Sequence, residues 1–330
     1  GREGRTERQS DQSDQSDQPD QQGKVCSPRI EARSAEGLLG QGGATRAMHA
    51  MQGTLFKYGA SSANVAFKSG SHRKHAIMVG GLTDGLFACK YVKPLAERLD
   101  RDGWSLVQTL LSSSHQGYGT CSLDKDADEI ASLTRFLREE MDSAAFCVVG
   151  HSTGCQDAVR FVDLAARSGG QIPGPSCVVL QAPVSDREFL DILPSTERNV
   201  ERAKRMVAEG KGLEFMPRET QEDGAPICAK RYLSLACKGG DDDMFSSDFT
   251  ADELEAVVGH MRETRTLVLM SGGDEYIPMT VDSSDLARKL AQAMGAAHVV
   301  VEGGKHALDD HVEEAVDAIS SFITQPPASQ

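Results

Sequence analysis

The sequence predicts an α/β architecture, a mostly parallel central sheet flanked by helices and carrying a helical cap insertion. Three observations predict it. Short apolar runs rich in Val, Leu and Ile recur along the chain, and amphipathic helical stretches separate them. The alternation then stops between Ser185 and Met261, where helical pieces and polar loops contain no convincing strand. Continuous apolar runs suit strands covered on both faces, which is what a parallel sheet requires.

The elements follow in order. Over Gln9–Gln22 the chain reads QSDQSDQSDQPDQQ, with no apolar side chain to offset the entropy lost on ordering. Residues 1–48 are therefore expected to be a disordered polar tail, and residues 49–330 one α/β domain. Its strands are expected at Gln52–Lys57 and Ala63–Phe67 as an opening pair, then at His75–Val79, Ser105–Leu111, Ala144–Val149, Ser176–Gln181, Thr266–Met270 and His298–Glu302. Leu123–Met141 sets Leu123, Ala127, Ile130, Leu133, Leu137 and Met141 at three- and four-residue steps, one apolar stripe on a helix. Gln156–Arg167 repeats that rhythm and stops at Gly169-Gly170, and a last helix covers about Asp309–Ile323. Within residues 185–261 the helical pieces are Glu188–Leu193, Glu197–Glu209 and Ala251–Met261, expected to form a lid over the sheet.

Charge and cysteine usage narrow the function classes. The 330 residues hold 35 Lys and Arg against 49 Asp and Glu, a net −14 that repels phosphate backbones and argues against nucleic acid as a partner. No stretch approaches the roughly 18 apolar residues of a membrane helix. The eight cysteines are scattered without C-x-x-C pairs, which points to free thiols in a reducing, cytoplasmic setting. The chain starts at Gly1 and not at Met, as a fragment or processed form does, so a targeting signal could have been removed from it. His72 and His75 are spaced H-x-x-H without a neighbouring cysteine or carboxylate, so no metal is expected, and nothing calls for a cofactor. The stretch Asp241–Glu255 holds seven carboxylates and no Lys or Arg, and reads as a solvated face.

The chemistry is concentrated at three places. The strand Ala144–Val149 runs into Gly150-His151-Ser152-Thr153-Gly154 and a helix begins at once, the strand–turn–helix setting of a G-x-S-x-G nucleophile elbow. A serine needs a base, and the base an orienting carboxylate. Asp274 follows the strand Thr266–Met270, and His306 follows the strand His298–Glu302 and the turn Gly303-Gly304. The order Ser, Asp, His, each after its own strand, is that of α/β-hydrolases. Glu275 is the competing acid; His298 and His311 are competing bases, expected inside a strand and the last helix respectively. Two backbone donors should meet the oxyanion: the Thr153 N–H, and an N–H of the loop Gly80-Gly81-Leu82-Thr83-Asp84-Gly85, where Leu82 is expected and Gly81 or Thr83 remain open. Thr83, His115, Tyr118 and His151 are candidates to line the pocket.

Four segments, GGLTDGL from Gly80, GHSTGCQD from Gly150, LQAPVSDRE from Leu180 and GGDDDMFSSD from Gly239, resemble a little-characterised α/β-hydrolase family that includes fungal esterases acting on fusarinine-type siderophores, along with many plant and algal members. The resemblance runs from about Gly53 to Phe322. It implies an esterase-like serine hydrolase with Ser152, Asp274 and His306 as its triad and a small-molecule acyl ester as its substrate. It does not carry the siderophore over. Activity that needs a neutral His306 is expected to fall below about pH 6–7. A non-catalytic ligand receptor on the same fold, or acyl transfer to an alcohol, are the alternatives.

Overall fold

The structure, a computed structural model, describes residues 50–220 and 225–325, all within the unit Ala47–Gln330. The tail expected over residues 1–48 lies outside them. Eight described strands form one sheet: β1 (Thr54–Lys57), β2 (Val65–Lys68), β3 (Lys74–Val79), β4 (Ser105–Leu110), β5 (Ala145–His151), β6 (Val178–Gln181), β7 (Thr266–Ser271) and β8 (Ala297–Val301). Their spatial order is β1-β2-β4-β3-β5-β6-β7-β8. The opening pair β1 and β2 is antiparallel, and β2 meets β4 antiparallel; every pairing from β4 to β8 is parallel.

Period-2 alternation sorts the strand side chains between two layers. Ile77, Val79, Val148 and Val268 face one layer, packed with Leu133 and Leu137 of α2 (Leu123–Glu140), Phe161 of α3 (Gly154–Arg167) and Leu290 of α8 (Ser283–Met294). Ala76, Met78, Cys147, Val149 and Leu269 face the other, against Leu95 and Leu99 of α1 (Val92–Arg101) and Ile319 of α9 (Val312–Thr324). Each face of the sheet therefore carries its own apolar cluster, covered by helices. The seven described cysteines are free thiols, and Cys147 and Cys177 are fully buried in the second cluster.

α1 and α8 lie outside the helices that the sequence pattern predicts. Both carry ordinary helix signals: Pro94 in the first turn of α1, and in α8 an Asp282 side chain that caps the Asp285 N–H and a left-handed Gly295 that ends the helix. Between β6 and β7 lie α4 (Asp186–Asp191), α5 (Thr196–Ala208), α6 (Ala229–Ala236) and α7 (Ala251–Val258). α5 and α6 share a small apolar cluster of their own, with Ala203, Met216, Ile227 and Leu235, against which Leu82 and Leu190 pack. α7 behaves differently from the rest of the insertion. Its Leu254 and Val258 pack in the main core, so it joins the flanking helices, and the cap proper is α4–α6.

Candidate active site

Ser152 follows β5 and precedes α3 with φ of 55°, the left-handed region that a non-glycine residue occupies at a cost. The tight turn explains its glycines. A Cβ on Gly150 would sit 2.3 Å from the Gly154 carbonyl oxygen, and one on Gly154 would sit 2.4 Å from that of Val79, so neither position admits a side chain without moving backbone. The Ser152 N–H donates to the Gln181 carbonyl (3.0 Å), which pins the turn to the end of β6.

His306 lies in the loop after β8 and Asp274 in the turn after β7. The His306 Nδ1 is 2.8 Å from Asp274 Oδ2 and 3.0 Å from Oδ1. A carboxylate only accepts, so Nδ1 carries the proton and Nε2 is left as the basic nitrogen. The Asp274 carboxylate is fully buried and also accepts the Tyr276 N–H (3.0 Å). Glu275, the competing acid, accepts the His306 backbone N–H (3.1 Å) and not the ring. Tyr276 sets the edge of its ring against His306, with centroids 4.5 Å apart. The competing histidines are elsewhere: His298 is on the exposed part of edge strand β8, and His311 is the residue before α9, paired with Asp310, because that helix starts only at Val312.

Ser152 and His306 open on one cavity of about 680 Å³. No hydrogen bond joins Ser152 Oγ to the His306 ring among the described residues; catalytic contacts of this kind are often loose before substrate is present. Leu82, Thr83, Tyr118 and His151 line the same cavity. His115 does not: its ring lies against Gly85 and its N–H donates to the Asp84 carbonyl (3.0 Å), so it buttresses the loop from outside the cavity. In that loop the Gly81 N–H is already bonded to Asp84 Oδ2 (2.8 Å), while the N–H groups of Leu82 and Thr153 have no acceptor among the described residues. Thr153 follows Ser152 directly in the chain, and Leu82 lines the same cavity as Ser152, so two free N–H donors are available near the nucleophile for an oxyanion. The cap supplies an apolar part of the wall, Phe189, Leu190, Leu193, Ile227 and Leu235, beside the polar Asp186, Thr220 and Tyr232.

Two of the four sequence segments singled out above hold the cap in place. Ser185 caps α4 by accepting the Glu188 N–H (3.1 Å) and bonds to Ser246 (2.6 Å). Arg187 pairs with Asp243 (3.1 Å) and with Asp248, and Glu188 accepts both the N–H and the hydroxyl of Ser247. Asp242 is buried against Arg231 of α6, whose Nε donates to the Tyr118 carbonyl (3.2 Å). The acidic stretch expected to be a solvated face thus turns Asp242 and Asp243 inward, because Arg231, 11 residues before Asp242, and Arg187, 56 residues before Asp243, meet them there. Arg231 faces Asp157 and Asp186 as well as Asp242, one guanidinium against several carboxylates. Burial pushes Asp126 and Asp186 up to about 7 and Asp157 well above the carboxylate range, so this cluster holds protons near neutrality. His151 moves the other way: burial, and then the neighbouring His306, lower it to about 3, which keeps it neutral.

Comparison with known proteins agrees with this fold. Residues 45–325 match the family described as "Protein of unknown function (DUF1749)". UPF0613 protein PB24D3.06c of Schizosaccharomyces pombe is 30% identical over 295 residues, covering 79% of this chain and 92% of that protein. Fusarinine C esterase sidJ of Aspergillus fumigatus is 27% identical over 328 residues, covering 80% and 92% respectively. Among solved structures, the siderophore hydrolase EstB from Aspergillus fumigatus superposes with a TM-score of 0.72 at 24% identity, over 84% of this chain and 98% of that one. With its family match spanning the whole sheet, the cap and the Ser152 turn, the chain belongs to the DUF1749 family and has the α/β-hydrolase fold.

Proposed function

We propose that this protein is a serine esterase in which Ser152 is the nucleophile, His306 the general base and Asp274 the residue that orients it. One observation carries the proposal: a strained Ser152 at a helix N-terminus shares a cavity with a histidine whose Nδ1–H is held by a buried carboxylate at 2.8 Å. The esterase relatives support the same reaction class. His306 Nε2 takes the Ser152 proton as Oγ attacks the acyl carbonyl, and Asp274 stabilises the imidazolium that forms. The Leu82 and Thr153 N–H groups receive the oxyanion, aided by the positive end of α3. His306 then gives its proton to the departing alcohol, and water, deprotonated by the same nitrogen, releases the acid from Ser152.

The substrate is an acyl ester small enough for a cavity of about 680 Å³, with an apolar portion against the cap helices. The mechanism calls on no cofactor. Turnover of a chain-length series of p-nitrophenyl esters tests this reading: wild type should hydrolyse at least one, and Ser152→Ala none above background. Equal turnover by both proteins would overturn the assignment of Ser152, and no turnover by wild type of any ester or acceptor-alcohol pair would favour a ligand receptor.

A further inference from the structure

We propose that Gln181 is a positioning residue of this site, whose side-chain amide holds the main chain of His306 and fixes the tautomer of His151 beside the nucleophile. The inference rests on the Ser152–His306 chemistry proposed above. Gln181 is the last residue of β6 and is fully buried. Its Nε2 donates to the His306 carbonyl (2.9 Å) and to Ser271 Oγ (3.3 Å), while the Ser271 hydroxyl donates to that same carbonyl (3.3 Å). Its Oε1 lies 2.6 Å from His151 Nδ1 and accepts the Tyr91 hydroxyl (3.2 Å). Both ends of the amide are therefore used twice.

The orientation is forced. The His306 carbonyl accepts only, so the NH₂ group must face it and the amide oxygen must face His151. That oxygen in turn requires the His151 proton to be on Nδ1. A neutral His151 stands 5.0 Å from the His306 ring, where a cationic neighbour would oppose the imidazolium that forms when His306 takes the serine proton. The Glu275 carboxylate holds the His306 N–H and the Gln181 amide its carbonyl, so both main-chain groups of the base are fixed. An apolar side chain of the same shape would leave the His151 Nδ1–H and the Tyr91 hydroxyl without this acceptor and the His306 carbonyl with Ser271 alone, so the amide both satisfies these buried groups and places the base. A shift of the base by about 1 Å is enough to cost about 10²-fold in rate.

The test compares wild type with Gln181→Met, which keeps volume and removes all four bonds, and Gln181→Glu, which keeps shape but sets an oxygen against the His306 carbonyl. The readouts are kcat and KM on p-nitrophenyl acetate, the rate of Ser152 phosphonylation by a fluorophosphonate, and the strongly deshielded proton resonance of the His306 Nδ1–H to Asp274 bond. Both variants should lose about 10²-fold in kcat and in phosphonylation rate with KM near the wild-type value, and the resonance should broaden or vanish. A folded variant with wild-type kcat, or a loss confined to KM, would overturn the inference. Should wild type itself neither turn over ester nor label, the esterase reading fails and the resonance alone decides this one: loss in the variants supports it, and retention refutes it.

Discussion

Replacing Arg231 by Met should expose how strongly the cap is tied to the body of the protein. The Arg231 side chain is 5% exposed, and its partner Asp242 is fully buried. Its guanidinium also faces Asp157 and Asp186 and bonds the Tyr118 carbonyl at 3.2 Å. Removing one partner of a buried ion pair costs roughly 3–5 kcal/mol, chiefly because the other charge stays buried and unpaired. The loss should depend on pH with a definite sign. The Arg231 charge lowers Asp126, Asp157 and Asp186 against the upward push of burial, so its removal moves all three further up, and the protons they then take up offset more of the unpaired charge at low pH than at high pH. We therefore expect about 4 kcal/mol at pH 8 and distinctly less at pH 6, read from urea unfolding. At about 2–4 °C per kcal/mol for a domain of this size, the pH 8 loss corresponds to about 8–16 °C in Tm. Adding Asp242→Asn to Arg231→Met should restore a large part of it. A pH 8 loss under about 1 kcal/mol, or a double variant no better than the single one, would refute the account of the cluster.

Three further outcomes follow from the geometry. Gly154→Ala should prevent correct folding of the Ser152 turn, since its Cβ would lie 2.4 Å from the Val79 carbonyl oxygen; an active, normally stable protein would contradict this. The contribution of Asp126 and Asp186 to stability should fall as pH rises from about 4 to about 7 and level off by about pH 8, because their folded-state values are raised from 3.8 to about 7 and the native state keeps protons that the unfolded chain has already released; Asp126→Asn should flatten that slope relative to wild type in unfolding curves taken across the range. Asp274→Asn should keep the fold but lower kcat by about 10⁴-fold, the cost of the wrong imidazole tautomer in a comparable triad. A change of less than about tenfold would remove Asp274 from the role given to it.

Much of this was legible in the sequence because it depends on local pattern. The strands, α2, α3 and the serine turn are written as runs, stripes and a G-x-S-x-G motif within a few residues of one another. Asp274 and His306 are recognisable from their places after strands. What was not legible depends on contacts between distant residues. Gln181 meets His306 across 125 residues and Tyr91 across 90, and no local feature of LQAP marks it as a junction. The acidic run around Asp242 looked solvated because no basic residue lies within it, whereas Arg187 and Arg231 reach it from α4 and α6. His115 sits in the loop that also brings Tyr118 to the cavity, but its left-handed backbone (φ 58°) directs it onto Gly85 instead.

The most direct test of the central claim is covalent: wild type, Ser152→Ala and His306→Ala are incubated with a fluorophosphonate, and the site of any adduct is read by peptide mass spectrometry. The mechanism predicts one adduct on Ser152 in wild type, none in Ser152→Ala, and labelling slowed by orders of magnitude in His306→Ala. An unmodified Ser152 in wild type, or labelling that proceeds at the same rate without His306, would contradict it.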